Sequence, residues 1–149
     1  MPTYLDTEPD LGDHESIAAE YPAESYLVRR DDPETEASSF RFVTPAREPI
    51  EFDDETRATL FADLFTALGG FRIKEGLGEY GIPVTVAAAG KPAIASYMYA
   101  VWGQSATKIA STLKLDRESV IQYFERIRSR AEEAKSRSDE SDSPPPGEA

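Results

Sequence analysis

With 149 residues the chain is long enough for one compact domain with flexible ends and too short for two full domains. Its 28 acidic and 16 basic side chains leave a net charge of -12, which argues against nonspecific coating of a polyanion. The absence of cysteine excludes disulfides, thiolate metal sites and cysteine nucleophiles, and a lone histidine, His14, with scattered carboxylates does not make a zinc set.

From Met1 to Pro22 the sequence is acidic, weakly periodic and broken by Pro2, Pro9, Gly12 and Pro22, so a disordered acidic arm is expected over 1–22. Two runs with strand character follow, Ser25 to Arg29 and Ser39 to Val43, separated by a polar stretch containing Pro33, and together they suggest a hairpin. Between Asp53 and Leu68 an acidic start, apolar Leu60, Phe61, Leu64, Phe65 and Leu68 at three- and four-residue spacing, and the stop Gly69-Gly70 predict an amphipathic helix.

Phe71 to Glu75 and Val84 to Ala87 flank a glycine-rich segment and are expected to be extended. Gly76, Gly78 and Gly81 have the spacing of a dinucleotide-binding loop, but Ile82-Pro83-Val84-Thr85-Val86 favours extended structure where that motif would open into a helix. A turn is therefore the expected reading. Pro92 suits the first turn of a helix from Pro92 to Trp102, with Ile94, Tyr97, Met98 and Val101 spaced as a buried face and Gly103 ending it.

The most informative stretch runs from Gln104 to Arg130 and reads as two helices with a tight join. Ile109 and Leu113 share a face of the first helix, and Ala110 supplies a small side chain where a second helix crosses closely. Leu115 fills the join, Asp116 accepts from the free amides that open the second helix, and Glu118 suits its dipole. Val120, Tyr123, Phe124 and Ile127 then bury one face, exposing Arg117, Glu118, Ser119, Ile121, Gln122 and Glu125.

Charge is distributed to match. Residues 1–60 hold sixteen acids and five bases, 61–103 three of each, and 131–149 six acids and two bases. Only 104–130, with six bases and three acids, is basic.

The pattern Ile109-Ala110, Leu113, Leu115, Asp116-Arg117-Glu118-Ser119, Val120 and Tyr123 resembles the helix-turn-helix of transcriptional regulators, including the LuxR-type module and the C-terminal DNA-reading domain of bacterial sigma factors. It departs from that pattern at Lys114, where the family commonly has glycine. The resemblance implies that the second helix reads base edges in the major groove through Arg117, Glu118, Ile121 and Gln122. Phosphates would be met by Ser105, Thr107, Lys108, Ser119, Arg126, Arg128 and Arg130. The acidic excess, the low lysine content and the lack of cysteine resemble proteins of halophilic archaea.

The expected fold is α+β, a short N-terminal β-containing part packed with a helical, winged-helix-like C-terminal unit. One domain is expected over 23–130, with a frayed helix end and an acidic, proline-rich tail over 131–149. The expected partner is double-stranded DNA. A homodimer is expected too, through the helix at 53–68 or that at 92–102, since such modules bind paired half-sites.

The rival reading is a protein-binding adaptor in a transcription or replication complex, without direct DNA readout. No catalytic dyad, metal cluster or nucleophile motif stands out, so neither an enzyme nor a cofactor is expected. No apolar run is of membrane-spanning length and no signal-like start is present, so a cytoplasmic protein without membrane contact is expected.

Overall fold

A computed structural model describes residues 11–45 and 48–142, with side chains described as far as Arg137. Four antiparallel strands, β1 (Glu15–Tyr21), β2 (Ser25–Asp31), β3 (Ser38–Val43) and β4 (Ile50–Phe52), form a meander in the order β1-β2-β3-β4. Five α-helices follow: α1 (Glu55–Ala67), α2 (Val84–Ala88), α3 (Lys91–Ala100), α4 (Ala106–Leu113) and α5 (Arg117–Asp142). The arrangement is α+β. All four strands precede the helices and none follows α5 among the described residues, so the unit lacks the hairpin of a winged helix.

The expected hairpin is present as β2 and β3, with Leu27 opposite Phe42 and Arg29 opposite Phe40. Strand β1 corrects the expectation of a disordered arm at residues 15–21. Its Ile17, Ala19 and Tyr21 alternate half-buried against exposed Ser16, Ala18 and Glu20, and Tyr21 packs edge-on against Phe42 at 5.8 Å between ring centres. Residues 1–10 of that arm lie outside the described residues, as do 143–149 of the tail.

The sheet buries one face against α1. Phe42 meets Phe61 at 5.6 Å and Phe65 at 5.2 Å, and Phe52 meets Phe61 at 5.5 Å, giving an aromatic layer that continues through Phe71. Helix α1 begins where Asp54 accepts from the Arg57 amide. It ends in a Schellman turn, in which the Gly70 and Gly69 amides donate to the Phe65 and Thr66 carbonyls. Gly69, at φ 72°, supplies the left-handed residue that this turn needs.

Helix α3 is the centre of the helical part. Pro92 to Met98 and Ala100 are all buried, which its alanines permit by letting α1 and α5 approach closely, and Arg57 closes its end by donating to the Ala100 and Val101 carbonyls. The buried residues of α3, and Ala58, Leu60, Phe61, Ala62 and Leu64 of α1, are committed to the core.

Two segments differ from expectation between α1 and α3. Phe71 to Glu75 is a turn rather than a strand, pinned by buried Phe71 and by Glu75, whose carboxylate accepts from the Arg72 amide. Val84 to Ala88 is helical although β-branched, because Val86 is buried and the Glu75 carboxylate also accepts from the Thr85 amide at 2.7 Å. One continuous core joins Leu27 in the sheet to Ile127 in α5.

Candidate nucleic-acid interface

The α4–α5 corner is built from backbone chemistry. Ser105 caps α4 by accepting from the Lys108 amide at 3.1 Å. At the other end the Leu115 amide donates to the Ala110 carbonyl at 2.9 Å and the Lys114 amide to the Ser111 carbonyl, a second Schellman closure. Lys114 stands in the left-handed position at φ 59° and ψ 47°. Lys114 thus occupies the conformation that glycine takes most cheaply, so the departure noted in the sequence costs strain but leaves the turn intact.

Asp116 then caps α5, accepting from the Ser119 amide at 2.8 Å, and the Ser119 hydroxyl together with that amide holds its carboxyl below the usual range. Ile109, Ala110 and Leu113 of α4 pack with Val120, Phe124 and Ile127 of α5 in the shared core. Helix α5 runs unbroken through position 131, where a frayed end was expected. Ala131 is fully buried and Lys135 lies 4.5 Å from the centre of the Tyr21 ring, tying the helix to β1.

Helical periodicity sorts the candidate residues into two groups. Opposite one flank of the buried stripe Val120-Phe124-Ile127-Ala131 stand Arg117, Glu118, Ile121, Gln122, Glu125 and Arg128. This face contains all four expected base readers together with Arg128, which donates to Glu125 at 3.1 Å. Ser119, Tyr123, Arg126 and Arg130 follow one another on the other flank, where Arg126 sits over the Tyr123 ring at 5.7 Å. The expected phosphate contacts of α5 are therefore divided between two sides of the helix.

At the start of α4, Thr107 and Lys108 are exposed, but the Ser105 oxygen and the Lys108 amide are already joined to each other. What remains there for an anion is the Ser105 hydroxyl proton, the first amides of the helix and the Lys108 ammonium. Lys114 is a further basic candidate at this corner. It is exposed three positions ahead of Arg117, and its left-handed backbone holds it at the outside of the join. Its only signal in the sequence was the replacement of glycine by a base.

The glycine loop offers no rival site. Several amides in and after it are engaged, Gly78 donating to the Ile82 carbonyl, Val84 to the Gly76 carbonyl and Thr85 to the Glu75 carboxylate, and the helix that follows is five residues long. Among the described residues no cluster of three or more metal-ligating side chains occurs, and no helix is long and apolar enough to cross a membrane. Comparison with protein families, with characterised proteins and with solved structures finds no match to this chain.

Proposed function

We propose that this protein is a sequence-reading, DNA-binding regulator that presents the first three turns of α5 to the major groove. The observation that carries the reading is the closed α4–α5 corner. Its two helices are joined by three residues and capped on both sides of the join, and Arg117, Glu118, Ile121 and Gln122 are all exposed on the first two turns of α5. Arg117 and Gln122 are donors suited to guanine and adenine edges, Glu118 is an acceptor suited to the cytosine amino group, and Ile121 suits the thymine methyl.

Glu118 and Glu125 are both exposed on α5. Carboxylates near phosphates cost affinity, so binding rests on few phosphate contacts and on base complementarity, and its salt dependence is shallow. Lys108, Lys114, Arg117 and Arg126 are exposed and Arg128 is half-buried, and they supply the positive charge of the corner.

A second reading is favoured by the same two carboxylates: α5 docks on a basic protein surface of the transcription machinery. Charge reversal separates the two. Arg117→Glu with Arg128→Glu abolishes duplex capture under the DNA reading, and Arg126→Glu with Arg130→Glu weakens it less. Unchanged duplex capture by the first variant, shown to be folded, overturns the DNA reading.

A further inference from the structure

A cavity of about 230 Å³ opens on the sheet, lined by Glu15, Val28, Arg30, Ser39, Arg41 and Glu51. Strand alternation puts these six residues on one face, opposite Leu27, Phe40, Phe42 and Phe52, which belong to the core shared with α1. The cavity therefore lies on the side of the sheet turned away from that core.

One part of it is built as a fixed crossbar. Arg41 on β3 reaches over β2 to Glu15 on β1, donating from its two nitrogens to the two carboxylate oxygens at 2.8 and 3.3 Å. The same carboxylate accepts from the Gly12 amide at 2.6 Å, and the Glu15 side chain is 11% exposed. Val28, which stands opposite Arg41 on the intervening strand, is 1% exposed. The other polar groups are left over. Arg30 and Ser39 face each other across β2 and β3, and Glu51 faces Arg41 across β3 and β4. All three are exposed, and among the described residues none of their side chains forms a hydrogen bond or salt bridge.

We propose that this cavity binds a small zwitterion of the α-amino-acid class, with its carboxylate on Arg30 and the Ser39 hydroxyl and its ammonium on Glu51. Charge selects the occupant. With Glu15 and Arg41 joined to each other, the lining keeps one cation and one carboxylate without a salt bridge, on strands two spacings, or roughly 10 Å, apart. The length of an arginine and a glutamate side chain narrows that gap to the span of a small molecule. A bare anion meets Glu51 and a bare cation meets Arg30, whereas a ligand carrying both charges satisfies both walls. The planar fork of Arg30 suits a carboxylate, and the three donors of an ammonium suit Glu51. Volume sets the size. About 230 Å³ is below the roughly 300–1,000 Å³ of pockets that take drug-sized molecules, so the site is too small for a nucleotide and suits an amino acid with a short side chain. The proposal is independent of the DNA reading, because its residues lie on the sheet and not on α4 or α5.

Titration of the isotope-labelled full chain with L-alanine, from about 0.1 to 100 mM at constant ionic strength and followed by amide chemical shifts, is the test, since a few polar contacts place affinity in that range. Saturable shifts centred on residues 28–30, 39–41 and 51 are expected, with acetate and methylammonium each binding at least about tenfold more weakly than alanine. Glycine betaine, which keeps both charges but offers Glu51 no N–H donor, is expected to bind more weakly than alanine as well. Arg30→Gln and Glu51→Gln change exposed side chains, so both are expected to fold normally and to weaken alanine binding about tenfold, while Glu20→Gln, on β1 outside the cavity, leaves it unchanged. No saturable shift with alanine, acetate or betaine binding as tightly as alanine, or undiminished binding by the Arg30 and Glu51 variants overturns the proposal.

Discussion

Between the sheet and α1 the molecule is held by ring packing, with Phe42, Phe52, Phe61, Phe65 and Phe71 touching one another across elements that lie far apart in sequence. At the α4–α5 corner the decisive contacts are between neighbours in sequence: Ser105 with Lys108, Ala110 with Leu115, Asp116 with Ser119. The first junction is strong and indifferent to detail. The second is weaker, and its geometry sets where α5 points. Stability and function should accordingly respond to different substitutions.

The largest effect is expected in the aromatic layer. Phe61 is fully buried and touches four other rings, so Phe61→Ala should cost about 3–5 kcal/mol in urea unfolding, enough to unfold much of a marginally stable population. At the corner, Ala110→Leu introduces volume where α4 crosses α5. It should cost about 1–3 kcal/mol and, unlike Phe61→Ala, displace the reading face in the molecules that remain folded. Equal loss of duplex affinity per unit of stability in both variants would erase the distinction between the two junctions.

Asp63 sharpens the comparison from the α1–α5 side. It is half-buried, and desolvation, with a smaller contribution from Glu132, raises its carboxyl pKa to about 6 against the pull of Lys135 and Arg128. A carboxyl whose pKa is raised on folding stabilises the protein when protonated, and that contribution is lost as pH rises from about 4 through about 6. Asp63→Asn should therefore raise stability at pH 7 by about 1–2 kcal/mol, after allowance for solvent screening, and flatten the fall in melting temperature between pH 4 and 6. Asp116 has the opposite sign. Its carboxyl is held low by Ser119, so the cap it provides is present at neutral pH and is lost as the solution becomes acid.

The smallest effect belongs to Lys114→Gly. Relief of a left-handed conformation worth about 1–2 kcal/mol is offset by about 0.5–1 kcal/mol of extra freedom in the unfolded chain, leaving a gain of about 0.5 kcal/mol in thermal unfolding. If the glycine variant keeps the gain yet binds duplexes less well, the Lys114 ammonium contributes to the interface and the strain is maintained by function.

What was legible in the sequence follows the same division. The corner, the α1 helix and the β2–β3 pair could be read because their signals are local: caps, a plugged join, three- and four-residue spacing, alternation. Strand β1 was hidden because alanines and acids interrupt its alternation, and only Phe42, more than twenty residues away, gives Tyr21 a ring to pack on. Helix α2 was hidden for a related reason. Valine and threonine favour strands, and the capping carboxylate of Glu75 and the burial of Val86 reverse that preference. The division of the arginines between two flanks of α5 follows from the register of Val120, Phe124 and Ile127, which the sequence shows, and buried Ala131 extends that register by one turn.

The central claim is that the face of Arg117, Glu118, Ile121 and Gln122 reads DNA sequence. Selection of bound duplexes from a random library by the full chain, at moderate and at multimolar potassium chloride, tests it most directly, with Arg117→Ala plus Gln122→Ala alongside. Enrichment of one motif, kept at the higher salt and lost in the folded variant, is the expected result. No enrichment at either salt, or the same motif enriched by both proteins, would contradict it.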